Sequence, residues 1–149
     1  MNSGTPVSSS ARIYGLAGLL SQAFAVFIVL FMDNLGGFAV ANGFYYAALI
    51  FSFLCGVWWG LALDKPARPR WIYGAAVAPS LIALALYLAR LWAWPSPQLP
   101  LAVLGVAIMA SPLVDRAIAR HLTLPAGWLH LRWQSSLGLG GLTLMLALA

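Results

Sequence analysis

The ionisable and reactive side chains of this sequence are few, and most of them stand apart from one another. His121 and His130 are nine residues apart across a Pro-Ala-Gly break. That spacing does not hold a metal ion, and no cysteine or acidic residue clusters with the two histidines. The sequence contains no nucleophile beside a base, no paired carboxylates and no phosphate-binding loop. We therefore predict a non-catalytic protein with no metal site and no cofactor.

Asp115 and Arg132 are the two charged residues that the sequence most clearly pairs. Asp115 ends one apolar run and Arg132 lies at the start of the next, on the two sides of one short loop. If both runs cross a membrane, Asp115 and Arg132 should therefore lie at nearly the same depth in it. Ionisable groups at the ends of membrane spans either pair or stay solvated. We predict a polar cluster of Asp115 and Arg132 that ties the last two helices together, rather than a proton path.

A second candidate site joins a cysteine and two tryptophans to a proline. Cys55, Trp58 and Trp59 lie on one apolar run, and Pro79 and Ser80 lie on the next. At helical rise, Cys55 and Pro79 are each about 12 Å from the short basic loop between the runs, so the two groups should face each other. Proline removes a backbone hydrogen bond, which is costly in a membrane. The pattern indicates either a structural kink or a break that binds a ligand.

The composition indicates an integral membrane protein. Of 149 residues, 62% are hydrophobic and 7% are charged, whereas a soluble domain carries about a quarter charged residues. The formal net charge of +5 could suggest nucleic acid. The basic residues stand at the ends of apolar runs, however, where the positive-inside rule explains them better. We therefore predict the lipid bilayer as a partner, and not nucleic acid.

Apolar runs of spanning length predict an all-α fold, a bundle of five transmembrane helices. We expect residues 1–12 to form a disordered tail and residues 13–149 to form a single transmembrane domain. The segment 33–42 has the composition of a turn, and the segment 115–122 that of a helix along the membrane surface. The first run is too long for the apolar region of a signal peptide. The predicted spans are about 13–32, 43–63, 71–93, 99–114 and 130–149.

The basic residues predict an orientation, because five spans would place seven of them on one side and only Arg90 near the other. By the positive-inside rule the side with seven is cytoplasmic. This predicts a bacterial inner membrane protein with a cytoplasmic N-terminus and a periplasmic C-terminus; the alternative is the mitochondrial inner membrane. The seven residues are Arg12, Lys65, Arg68, Arg70, Arg116, Arg120 and Arg132.

Small residues four positions apart indicate faces where helices approach closely. We expect these faces to be buried inside the bundle. The alternative is that they contact a second copy of the chain or a partner membrane protein. The pairs are Gly56 and Gly60, Gly74 and Ala78, and Ser136 and Gly140.

Several short motifs occur in a characteristic order along the chain. Residues 53–60 read FLCGVWWG and residues 79–81 read PSL; Asp115 follows, and then Trp128 with Leu131-Arg132. In these motifs the chain resembles the transmembrane-protein-69-like family, also called a domain of unknown function (DUF-3429). The resemblance covers most of the chain after the first span, with Cys55 in place of a glycine. It implies a small polytopic inner-membrane protein of bacteria or mitochondria, and it brings no established activity.

Two functions remain open from the sequence. The first is a small non-catalytic membrane protein that packs against other membrane proteins as an accessory or assembly factor, which short loops and small-residue faces favour. The second is a binder or carrier of a lipid, a quinone or another apolar small molecule near Cys55 and Pro79.

Overall fold

The computed structural model describes residues 6–63, 65, 69–92 and 96–149. Within these ranges the regular structure is helical, which confirms the predicted all-α class. A single turn of 3₁₀ helix at Asp33–Leu35 separates the first two α-helices. The α-helices are α1 (Ser9–Phe31), α2 (Gly36–Leu63), α3 (Trp71–Trp92), α4 (Gln98–Ile118) and α5 (Trp128–Leu148).

Four of these helices, α1 to α4, are long and apolar enough to cross a membrane. Helix α5 has 21 residues, but it is not among them. Its first half carries His130, Arg132 and Gln134, which lower its mean hydropathy. By length and composition the structure thus supports four of the five predicted spans.

Helix α1 begins at Ser9, four residues before the predicted span. The hydroxyl of Ser8 accepts a hydrogen bond from the backbone N–H of Ala11 at 3.1 Å, which is the usual N-cap arrangement. Just before it, the N–H of Val7 donates to the carbonyl of Ala126 at 3.0 Å. The prediction of a disordered tail is therefore wrong for residues 6–12, and residues 1–5 lie outside the described part of the chain.

The predicted turn at 33–42 is also mostly helical. Only Asp33–Leu35 departs from the α-helix, and Gly36 already has helical dihedral angles (φ −54°, ψ −49°). Two consecutive glycines favour a turn by composition, but glycine also fits the beginning of a helix, where a flexible backbone costs least. Helix α2 therefore has 28 residues and is longer than the span predicted for it.

Helix α4 continues through Pro112 to Ile118, so the helix predicted at 115–122 is present only at residues 115–118, as the end of α4, and residues 119–122 are not helical. Proline cannot donate to the carbonyl four residues before it. Here the hydroxyl of Ser111 donates to that carbonyl, on Ile108, at 2.8 Å. The helix keeps its direction because the freed acceptor is satisfied locally. As a result Asp115 lies in the last turn of α4.

Helices α4 and α5 pack with their backbones in contact. A Cβ atom added to Gly140 would stand 2.8 Å from the carbonyl oxygen of Gly105, so neither position has room for a side chain. One turn away, the buried hydroxyls of Ser111 and Ser136 lie 3.1 Å apart. Ser136 and Gly140 therefore form a buried packing face as predicted, and Gly105 is a member of it that the four-residue spacing did not reveal.

The other two predicted packing faces are not buried in this chain. Gly56, Gly60 and Gly74 are exposed, and a Cβ atom added to any of them would meet nothing within 4 Å. Ala78 is half-buried. The prediction of a face inside the bundle is wrong for these glycines. On α2 the buried stripe runs through Phe51, Cys55, Trp58 and Ala62, and Gly56 and Gly60 lie on the opposite side of the helix.

We expect Gly140→Ala to destabilise the protein while the neighbouring Gly141→Ala does not. The new methyl group at position 140 would overlap the α4 backbone, and overpacking costs about 1–3 kcal/mol. A Cβ atom at Gly141 meets nothing within 4 Å, and alanine is the better helix former by about 1 kcal/mol. Thermal unfolding of both variants in mild detergent checks this; equal shifts would contradict the close contact of α4 and α5.

Candidate functional site

A buried carboxylate, Asp115, joins three helices at one end of the molecule. One oxygen, Oδ1, accepts hydrogen bonds from the indole N–H groups of Trp58 at 3.0 Å and Trp128 at 2.9 Å. The other, Oδ2, accepts from Nε of Arg132 at 2.8 Å. The contributors come from α2, α4 and α5. The structure therefore brings Asp115 and Arg132 into contact and adds two tryptophans to the pair.

Local backbone geometry places these donors on one face. Gly127 has a left-handed conformation (φ 83°), which reverses the chain just before α5 begins at Trp128. This conformation is accessible to glycine at little cost. Arg132 follows Trp128 by four residues, so both side chains lie on the same side of α5. Trp58 belongs to the inward stripe of α2, 2% exposed.

Burial makes these contacts necessary. The side chains of Asp115 and Arg132 are 0% and 3% exposed. An ion pair taken out of water is stable only when further hydrogen bonds satisfy the remaining polar atoms. For Asp115 they do, because three N–H groups approach its two oxygens. Both oxygens of the Asp115 carboxylate therefore have hydrogen-bond donors.

Arg132 is satisfied much less completely. Its Nη1 and Nη2 atoms are buried and have no hydrogen-bond acceptor among the described residues. The Cys55 thiol lies close enough to interact with the guanidinium, but sulfur is a weak acceptor. The ring of Trp58 lies 5.8 Å from Cζ, within reach of a cation–π contact. Buried polar atoms without partners are uncommon, and each calls for a physical reason.

Arg132 also lines a groove of about 470 Å³ between α1, α2 and α5. The walls are mainly apolar, and Ser8 and Ser135 are the other polar side chains among the lining residues. The short segment 6–8, held to Ala126, forms one border of the groove. The apolar lining residues are Pro6, Val7, Ala11, Gly15, Phe53, Leu54, Val57, Pro125, Trp128 and Leu131. We call this space the Arg132 groove.

The structure divides the site that was predicted around the cysteine and the proline. Trp58 and Pro79 are buried and line one apolar pocket of about 310 Å³ between α2, α3 and α4. Cys55 is buried too, but it is not among the residues that line this pocket. Trp59 and Ser80 are exposed. Five residues that were expected to act together therefore do not form one site.

Sequence reasoning missed the two tryptophan donors and the groove. Tryptophans near the ends of apolar runs usually anchor a helix at the membrane interface, and the positions of Trp58 and Trp128 in the sequence fit that role. A signal was present, because Trp128 precedes Arg132 by four residues and indole can only donate a hydrogen bond. No pattern in the sequence indicates that α1 lies against this end of α5.

We expect Trp58→Phe to destabilise the protein more than Trp59→Phe. The first change removes an N–H donor to a buried carboxylate, worth about 1.5–3 kcal/mol. Trp59 is 43% exposed, and its ring makes a T-shaped contact with the ring of Tyr73, so its replacement should cost less than about 0.5 kcal/mol. Denaturation in detergent measures both; similar losses would show that the hydrogen bond to Asp115 contributes little.

Comparisons with known proteins identify the family without assigning an activity. Neither the curated proteins nor the solved structures include a match to this chain. A family model, described as "Protein of unknown function (DUF3429)", matches residues 7–149. The match includes Asp115, Arg132, both tryptophan donors and nearly all of the groove. The resemblance to DUF-3429 in the sequence motifs is thereby confirmed, and the chain belongs to the DUF3429 family.

Proposed function

We propose that this chain is a multi-pass membrane protein that binds an amphiphilic molecule in the Arg132 groove. One observation carries the proposal: Arg132 lines an otherwise apolar groove, and its guanidinium is buried with two nitrogen atoms that have no acceptor among the described residues. Ligand sites commonly combine apolar walls with a few polar groups that fix orientation. The groove volume of about 470 Å³ also lies in the usual range for such sites.

The tryptophans explain why the arginine remains available. A guanidinium and a carboxylate commonly form two parallel hydrogen bonds. Here Trp58 and Trp128 both donate to Oδ1 of Asp115, and Arg132 contacts only Oδ2, through Nε. The carboxylate therefore anchors the arginine by one nitrogen and leaves both Nη atoms without an acceptor in the described part of the chain. A purely structural ion pair would gain stability from the second hydrogen bond, so its absence favours a binding role.

The proposal includes five crossings of a bacterial inner membrane. Helix α5 is less apolar than the others, but Arg132, Ser135, Ser136 and Thr143 are buried against neighbouring helices. Polar residues of membrane helices generally face the protein interior in this way. The start of α1 and the loop before α5 meet at one end, through residues 7 and 126. Exposed basic residues near that end favour the cytoplasmic side; the mitochondrial inner membrane is the alternative.

A pair of reporter fusions tests this orientation. We expect a reporter that is active only in the periplasm to work when it is fused after Ala149 and to fail when it is fused after Arg120, because α5 would carry the chain across the membrane between these positions. Activity after Arg120 alone would contradict the orientation. Failure at both positions would contradict the crossing by α5.

A second candidate function is association with another membrane protein. The open positions at Gly56, Gly60 and Gly74 favour it, because exposed small residues allow a neighbouring helix to approach closely. An accessory or assembly factor would use such a surface. This function predicts that protein subunits, rather than an amphiphile, remain with the chain through purification in mild detergent.

The proposed function is tested by blocking the groove without changing the ion pair. Ala11 is exposed on α1 and lines the groove, whereas Ala17 is exposed on the same helix and lines no described pocket. Wild-type protein should retain an amphiphile at about one molecule per chain through mild purification. Ala11→Trp should reduce this several-fold because the indole fills the groove, and Ala17→Trp should not.

Mass spectrometry of extracted lipids, normalised to protein, gives the stoichiometry. Equal retention by Ala11→Trp and Ala17→Trp would show that the bound molecules only coat the apolar surface. Wild-type protein with no retained amphiphile would contradict the proposed function directly.

A further inference from the structure

We infer that the Arg132 groove selects an amphiphile with one alkyl chain and an anionic headgroup that presents two oxygen atoms, such as a carboxylate or a phosphate. The two Nη atoms of Arg132 would bind the headgroup, and the apolar walls would hold the chain. This inference rests on the proposed function, and it adds the chemical class of the ligand.

The unused donors of Arg132 favour a headgroup with two oxygen atoms. Nη1 and Nη2 of a guanidinium lie in one plane and form a fork that matches the two oxygens of a carboxylate or phosphate. Both atoms of Arg132 are buried without an acceptor among the described residues. A hydroxyl or a single ketone oxygen would leave part of this fork unsatisfied, and an unsatisfied buried charge is costly. A two-oxygen headgroup satisfies both nitrogens at once.

The local charge around the groove favours an anion. The groove is lined by Ser8 and Ala11 at the start of α1 and by Trp128 at the start of α5. Each helix N-terminus carries a partial positive charge, and these two meet at the same groove. Asp115 opposes an incoming anion, but two indole N–H groups and Arg132 already stabilise its charge.

The remaining surface of the groove favours an alkyl chain. Phe53, Leu54 and Val57 of α2 line the groove together with Leu131 of α5, and Gly15 of α1 adds no side chain to it. A chain of methylene groups is stabilised by burial against such walls, at about 0.8 kcal/mol for each CH₂ that leaves water. The groove thus provides an apolar wall beside a cationic donor, which is the pattern an anionic amphiphile requires.

The test compares ligands that differ only in the headgroup. Delipidated wild-type protein in mild detergent is titrated with palmitate, hexadecyl phosphate and hexadecanol, and binding is followed by calorimetry. We expect at least one of the two anions to bind about tenfold to a hundredfold more tightly than the alcohol, because charged hydrogen bonds are the stronger kind. Preference for palmitate would assign a fatty acid, and preference for the phosphate would assign a phospholipid-type headgroup.

Two variants locate the effect. Ala11→Trp should abolish tight binding of the anion, and Ala17→Trp should keep it. Tight binding that persists in Ala11→Trp would place the anion elsewhere and overturn the inference. Arg132→Lys keeps the positive charge beside Asp115 but loses the fork, so the preference for the anion over the alcohol should fall about tenfold.

The outcomes separate the two proposals. The headgroup inference would be overturned if the two anions and the alcohol bound with equal affinity. If Ala11→Trp also blocked all three ligands, the amphiphile site itself would remain supported. No binding of any of the three probes would overturn the site itself. The comparison of headgroups in wild-type protein does not depend on whether any variant folds.

Discussion

The burial of one carboxylate, Asp115, is the constraint on which the rest of this structure depends. A carboxylate without water must receive hydrogen bonds or a counter-ion, or it is lost as a charge. Trp58, Trp128 and Arg132 supply these from two other helices. The ends of α2, α4 and α5 are therefore held in fixed relation, and the reversal at Gly127 brings the start of α5 back to the site.

Satisfying Asp115 in this way leaves Arg132 only partly satisfied. Because the indoles occupy one carboxylate oxygen, the arginine uses Nε alone, and its two terminal nitrogens have no described acceptor. The same residue lines a groove with apolar walls at the end where α1 begins. The polar network and the groove are thus two consequences of one arrangement. That connection is the basis for proposing an amphiphile, rather than an apolar molecule, as the ligand.

Local sequence patterns predicted the features that depend on a single segment or loop. Prediction failed for the features that depend on how a neighbouring helix packs. Run lengths placed the apolar helices, and two charges on either side of one loop predicted the contact of Asp115 with Arg132. The spacing of small residues correctly predicted the buried packing face at Gly140. It wrongly predicted that Gly56 and Gly60 are buried, because spacing does not reveal which side of a helix packs against other helices. The groove was unpredictable because it depends on how α1 lies against α2 and α5.

The most direct test of this account is an experimental structure of the protein purified with its native lipids. The account predicts that Nη1 and Nη2 of Arg132 each lie about 3 Å from an oxygen of a bound headgroup, with its chain continuing along the groove, while Nε stays on Asp115. A structure in which both Nη atoms donate to groups of the protein, with the groove filled by side chains, would contradict it.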